Sequence, residues 1–282
     1  MALQELGSPR DTSPRFQSGQ TGIGGSRHSA RWIKSHVIGE FDAMCGRFTL
    51  RTPAAQMIEI FNVDDMPSLA PRYNIAPTQL VICIRAVADD PKSRETVQMR
   101  WGLIPFWAKD TAIGNQTINA RAETVAEKPA FRAAFAKRRC LIAADGFLEW
   151  QTLSTGKKQP WLMEMADQQP FAMAGLWEYW TPKGESTLKP VVSCSIITTS
   201  ANDEMSVLHD RMPVILPIEA WATWLSPTAN ATQCSALLKP LENGLLTKTC
   251  VSTKVNRPFP DNAECLQPVD PPEPLTKKSH GS

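Results

Sequence analysis

Cys140-Leu141-Ile142-Ala143-Ala144-Asp145-Gly146-Phe147-Leu148-Glu149-Trp150-Gln151 holds two short apolar runs, 140–144 and 147–151, parted by an acid and a glycine. Runs of this length, bounded by turn residues, read as strands and not as helices. Similar runs lie on both sides, so strands are expected at 79–87, 95–101, 160–166, 170–175, 191–199, 213–216 and 247–252. Helices are few. Thr52-Pro53 supplies an N-cap and a residue suited to the first helical position, and Met57, Ile58 and Phe61 follow at helical spacing, which predicts a helix over 53–62. A second is expected over 129–139, where Phe131 and Phe135 stand four apart and Lys137-Arg138-Arg139 suits the negative helix end. A third begins near Pro217 and carries Trp221 and Trp224, and a fourth lies near 230–238. This spacing describes an α+β domain, β-rich, with mainly antiparallel strands.

The span from Cys45 to Pro268 suits one domain, since it contains no Pro/Gly/Ser linker and no repeat of fixed period. Residues 1–44 are rich in Gly, Ser and Arg, sustain no amphipathic period and have no secretory apolar core. They are expected to be a disordered extension or sequence upstream of the true start. The Pro-rich stretch 269–282 is expected to be a disordered tail. The net charge of +2 falls to about +1 without residues 1–43, so any nucleic-acid contact must come from a local patch. Seven cysteines with no Cys-x-x-Cys pair point away from a disulfide scaffold and a zinc site and toward a reducing compartment. No run approaches the 18 or so apolar residues of a membrane span. A soluble, cytoplasmic protein is expected, nucleoid-associated if bacterial, with no membrane partner.

Met44-Cys45-Gly46-Arg47-Phe48 reads like the start of a protein, although it lies 44 residues in. A chain begun at Met44 would lose that methionine and expose Cys45 with a free α-amine beside its thiol. The two nucleophiles of such a 1,2-aminothiol together trap an aldehyde as a thiazolidine ring. Read alone, the pair also fits a buried cysteine beside a glycine turn.

Other polar residues interrupt apolar runs. Thr117-Ile118-Asn119-Ala120-Arg121-Ala122-Glu123 places an amide, a guanidinium and a carboxylate at alternate positions, on one face if extended, which fits a solvated strand or a site. Glu149, between Leu148 and Trp150, is either the exposed side of an edge strand or a desolvated acid suited to proton transfer. Of four histidines only His209 lies in the folded region, in Leu208-His209-Asp210-Arg211-Met212-Pro213. A lone histidine can be structural or catalytic. Phe106-Trp107 fits core packing or a surface wedge.

Those blocks, with Arg72-Tyr73-Asn74-Ile75-Ala76-Pro77 and Trp101-Gly102-Leu103-Ile104-Pro105, occur in an order that resembles the SRAP (SOS response-associated peptidase) family from Met44 to about Pro268. The resemblance implies a barrel-like β-rich fold with a positive groove that meets abasic sites in single-stranded DNA. It implies that Cys45, freed at the N-terminus, forms a thiazolidine with the ring-opened sugar, that Asn119 and Glu149 hold and protonate the reacting groups, and that His209 assists ring opening and reversal. Lyase activity, and an autopeptidase that removes the peptide ahead of Cys45, follow from the same likeness. Arg47, Arg72, Arg121 and Arg211 would meet phosphates, Phe106 and Trp107 would stack where the strand bends, and Asn74, Thr198 and Asn256 would line the groove. No cofactor or metal is implied, and a monomer is expected. The other readings are an N-terminal-nucleophile amidotransferase, whose chain would continue with an aliphatic residue instead of Arg-Phe, and a non-catalytic single-stranded DNA-binding module.

Overall fold

The computed structural model describes residues 46–67, 70–184 and 189–275. Its strands in chain order are β1 (Arg47–Leu50), β2 (Arg72–Ile75), β3 (Leu80–Ala86), β4 (Arg94–Trp101), β5 (Asn119–Arg121), β6 (Arg139–Ala144), β7 (Gly146–Thr152), β8 (Lys158–Met165), β9 (Phe171–Trp180), β10 (Val191–Ser200), β11 (Arg211–Pro213), β12 (Ile215–Leu216) and β13 (Leu246–Cys250). The helices are α1 (Ala54–Phe61), α2 (Arg132–Lys137), α3 (Asp203–Ser206), α4 (Ile218–Leu225) and α5 (Ala231–Ala236). No helix among the described residues is long and apolar enough to cross a membrane.

Two sheets share the strands. One runs β13-β8-β7-β1-β2, and the other runs β11-β10-β4-β3-β6-β9-β12, with β5 added to β10. Because β9 also pairs with β10, the strands β10, β4, β3, β6 and β9 close into a five-membered barrel. Pairing is antiparallel except where β10 meets β4 and β5. The expected β-rich, mainly antiparallel, barrel-like domain is the one observed. Closure leaves the barrel strands no open edge.

β6 is buried at all six positions because barrel packing covers one face and α2 and α4 approach the other, which explains its unbroken apolar run. Its one charge, Arg139, donates to the carbonyls of Phe135 (2.7 Å), Ala136 (3.0 Å), Trp224 (2.7 Å) and Ser226. A single guanidinium thus satisfies the orphan carbonyls that end α2 and α4, and the cation suits both negative helix ends. Trp224 donates its indole N–H back to Cys140 O at 2.9 Å, and Phe61 stacks on Trp221 with centroids 4.7 Å apart.

The chain departs from the expected elements at several points. The run 170–175 continues to Trp180, since β9 pairs with β6 along one edge and with β10 along the other. The run 213–216 is split at Val214, whose N–H reaches Ile197 O while its carbonyl accepts from Ala174, so the chain steps from β10 onto β9 there. Strands β1, β2 and β5 and helix α3 are additional to the expected set. Residues 269–275, given by composition to a disordered tail, are hydrogen-bonded: Val269 N donates to Cys250 O at 3.0 Å, and the Glu273 carboxylate accepts from Ser154 N and Oγ. Backbone pairing, the Glu273 carboxylate, the Gln151 amide on Pro274 O and the packing of Leu275 against the core hold the segment. The expected extension 1–44 and the end of the tail lie outside the described residues.

The sheets join at Asp145, the single residue between β6 and β7. Its side chain is 7 % exposed and accepts from Thr49 Oγ1 (2.6 Å), Arg51 Nε (3.1 Å), Thr52 N (2.8 Å), Thr52 Oγ1 (3.0 Å) and Arg51 N. Gly146 follows because a Cβ there would lie 2.7 Å from Thr49 Oγ1. Removing this carboxylate would strand two backbone N–H groups and two hydroxyls together and leave the Arg51 guanidinium to Glu164 alone. Asp145→Ala is expected to cost about 3 kcal/mol or more of folding stability, read from urea unfolding midpoints, and a loss below about 1 kcal/mol would refute the hub.

Candidate active site

The path to the site starts at β1. Its antiparallel pairing with β7 sets Arg47 against Leu148, Phe48 against Phe147 and Thr49 against Gly146. One further step of that register puts Gly46 across from Glu149. Cys45 lies outside the described residues, and its link to this position is the peptide bond to Gly46.

Glu149 is only 3 % exposed, and in the pleat it shares a face with Phe147 and with Trp161, its partner on β8. The exposed-edge reading of this carboxyl is therefore excluded. Phe48 packs edge-on against Trp101 with centroids 5.1 Å apart, and the Trp101 indole donates to Ile118 O at 2.9 Å. Ile118 precedes Asn119, so two contacts couple β1 to β5.

A second group of residues gathers at the C-terminal part of β10. β5 runs parallel to it, with Asn119 beside Ile196 and Arg121 beside Thr198, and β11 lies on its other side with Arg211 opposite Ser200. Arg211 is buried and donates to both Glu123 oxygens, at 2.5 and 2.8 Å, and to Thr198 O at 2.8 Å. His209 sits in the turn before β11. Its Nδ1 lies 3.0 Å from the Arg211 N–H and 2.8 Å from an Asp210 carboxylate oxygen. The amide needs Nδ1 without a proton and the carboxylate needs it with one. Nδ1 thus has a partner in either charge state, which suits a group that takes up and returns a proton.

The four arginines named from the sequence divide into two kinds. Arg72 is held by Asp261 and donates to Gln79 Oε1 at 2.5 Å, and Arg211 is held by Glu123, so each already has a polar anchor. Arg47 and Arg121 have no acid partner within salt-bridge distance among the described residues. Arg47 is half-buried and donates to Gly46 O at 3.0 Å, its Nε has no hydrogen-bond partner among the described residues, and burial lowers its pKa. A desolvated cation of this kind favours an incoming anion.

Phe106 and Trp107 are 60 % and 43 % exposed, which rules out core packing for the pair. Their loop is braced from beneath: Ile104 N donates to Ser193 Oγ at 2.8 Å and Trp180 Nε1 to Ala108 O at 2.9 Å. Gly102 starts it at φ +117°, where a Cβ would lie 2.3 Å from Gly114 O. Asn74 is buried and donates to Arg257 O (2.6 Å) and Pro260 O (3.3 Å), while Asn256 accepts from the Trp150 indole at 2.8 Å. Thr198 is fully buried, with its carbonyl engaged by Arg211. Asp145 and Asp261 are residues that sequence reasoning did not single out, and Glu123 was noted there as a carboxylate but given no partner. Asp145 and Glu123 stood in the quoted blocks, and only the charge of Arg211 hinted at its acid partner. No group of three or more His, Cys, Asp or Glu suited to a metal occurs among the described residues.

Comparison with known proteins places the chain in a family. Residues 44–258 match the profile of the SOS response associated peptidase (SRAP) family. The chain belongs to the SRAP family. Among curated SRAP relatives, it is 42 % identical over 229 residues to the abasic site processing protein YoqW of Bacillus subtilis (strain 168), covering 79 % of this chain and 99 % of that one. It is 33 % identical over 245 residues to the abasic site processing protein HMCES of Gallus gallus, covering 75 % and 70 %. A crystal structure of a protein from Bacteroides thetaiotaomicron superposes with a TM-score of 0.71 at 26 % identity, covering 80 % of this chain and all of that one.

Hydrogen bonding from Arg211 holds the Glu123 carboxyl below its ordinary pKa, and Arg121 adds to this. The folded value lies below the unfolded one, so the pair stabilises the fold above the ordinary carboxylate range and stops doing so as pH falls through the folded value. Glu123→Gln should therefore lower the thermal midpoint near neutral pH, with the gap to the parent closing on acidification. A gap independent of pH would show that the ion pair does not stabilise the fold.

Proposed function

We propose that this SRAP domain captures abasic sites in single-stranded DNA through Cys45, after the residues ahead of it are removed by its own peptidase activity or by another route. The observation that carries the reading is the buried carboxyl of Glu149 across the β1–β7 ladder from Gly46, the residue that follows Cys45. The names of the relatives, abasic site processing proteins, support the substrate.

The chemistry balances with these groups alone. The Cys45 α-amine adds to the C1 aldehyde of the ring-opened sugar and gives a carbinolamine. Loss of water requires an acid, which a buried Glu149 in its neutral form supplies. The Cys45 sulfur then adds to the imine carbon and closes the thiazolidine, so aldehyde and aminothiol yield adduct and one water. Asn119 orients the sugar hydroxyls, and His209 exchanges the proton that opens the sugar ring and later reverses the adduct; the same imine route accounts for lyase activity. Arg47 and Arg121, which form no ion pair among the described residues, meet the phosphates, while Arg72 and Arg211 shape the walls. Phe106 and Trp107 stack where the strand turns out of its path, with Asn74, Thr198 and Asn256 along the groove. An amidotransferase would need a glutamine site and an ammonia-using partner, and nothing in this arrangement favours either.

Two tests follow. Glu149→Gln should slow adduct formation by about 10²-fold or more, whereas His209→Ala should leave formation measurable and impair release to a competing abasic oligonucleotide, because dehydration and reversal are separate steps. Equal, negligible effects of both changes would sink the role assignment.

The second test concerns the start of the chain. While residues 1–44 remain attached, the Cys45 nitrogen is an amide and can form no imine, leaving only a reversible hemithioacetal through sulfur. The same protein expressed from Met44 should lose its methionine and form a heat-stable adduct without reductant, and Cys45→Ala in that form should give only a borohydride-trapped adduct. Equal crosslinking by the long form, shown by intact mass to keep its first residue, would refute the aminothiol mechanism.

A further inference from the structure

Phe259 is the most exposed large apolar side chain among the described residues, at 73 %. Leaving a benzyl group in water forgoes the stabilisation that burial would give it. Its loop is nevertheless held stiffly. The Asp261 carboxylate accepts from Tyr73 N (2.6 Å), from Asn74 N (2.8 Å) and from Arg72, and the Asn74 amide and the Cys265 thiol both donate to Pro260 O. The ring therefore projects from an anchored stretch of backbone.

Two hollows share Phe259 as a wall. One, of about 490 Å³, has Arg72, Gln79 and Leu80 on its far side. The other, of about 560 Å³, is flanked by Lys254 and Arg257. Arg257 has no ion pair among the described residues. Lys254 pairs with Glu264 at 2.7 Å across an exposed surface, an interaction weak enough to yield to a phosphate. Asn256, which lines this second hollow, accepts from Trp150, on the face of β7 opposite Glu149 and shared with Leu148, the partner of Arg47.

An exposed aromatic on an anchored loop, with Lys254 and Arg257 lining the hollow beside it, matches the stacking platforms of single-strand binders. We propose that Phe259 stacks an undamaged base of the strand that flanks the lesion, with Arg257 on the neighbouring phosphate. This rests on the reading of the domain as an abasic-DNA protein and extends it to a second contact point beyond the reacting sugar.

The test uses the full chain and single-stranded oligonucleotides that carry a tetrahydrofuran abasic analogue, so that no covalent step intervenes. The flank is lengthened one nucleotide at a time on the 5′ side and then on the 3′ side, with affinity read by anisotropy. Affinity should step up at one flank length on one side only. Phe259→Ala should remove that step, a loss of about fivefold or more, while leaving short oligonucleotides unaffected, and Phe259→Trp should keep it. 2-Aminopurine placed at that nucleotide should be quenched by the parent and not by Phe259→Ala. An unchanged step and unchanged quenching in Phe259→Ala would overturn the proposal, including the case in which the face serves a protein partner instead. Crosslinking of a natural abasic oligonucleotide to the form begun at Met44, measured in parallel, decides the separate question of the aminothiol chemistry.

Discussion

A buried carboxylate needs donors, and the fold is arranged around the donors of one. Asp145 is the only residue between the barrel strand β6 and the outer strand β7, and every group it accepts from lies between Thr49 and Thr52, at the end of β1. The anchor therefore fixes β1 along its own axis. A slip of one residue would turn each β1 side chain to the opposite face. That would move Gly46 away from Glu149 and Phe48 away from Trp101. The register that carries Gly46 toward Glu149 is thus decided at the far end of a four-residue strand, where a closed barrel supplies the rigidity.

The polar groups around the site repeat this economy at smaller scale. Glu123 neutralises Arg211, Asp261 fixes Arg72 and the backbone of β2, and the Asn74 amide ties β2 to the loop at Arg257. Among the described residues Arg47 and Arg121 form no ion pair, although Arg121 lies near enough to Glu123 to help hold its pKa down. Cations already bound to carboxylates give shape without repelling one another.

Much of the architecture was legible in the sequence because barrel strands buried on both faces leave uninterrupted apolar runs, as in Cys140–Ala144. The strands that build the site were harder to see. β1 and β2 have four residues each and β5 three, too short for a period to register, and their pairing depends on contacts far along the chain. The same holds for side chains. Glu149 stood out as an acid in an apolar run, yet its burial follows from Trp161 across the ladder, which no local pattern announces. Asp145 looked like a turn residue beside a glycine. Its partners, some 93 to 96 positions earlier, exist only once the sheets are assembled. Residues 269–275 were expected in a tail for a related reason: their contacts are backbone pairing, the Glu273 carboxylate, the Gln151 amide and Leu275, none of which composition registers.

The five-stranded sheet, unlike the barrel, has two ends. β2 forms one, and its N–H groups at Tyr73 and Asn74 are taken by Asp261; β13 forms the other, where the backbone of 267–269 bonds to 250–252. Both seals come from one stretch of fewer than 15 residues, and it is among the last parts of the domain to leave the ribosome. Until it emerges, a nascent chain carries two unpaired ladders of backbone donors and acceptors, the surfaces through which sheets recruit foreign strands. The finished protein resists such recruitment without an extra strand or a row of charged guards. Its protection is a matter of timing, completed when the chain wraps back over what it has already built.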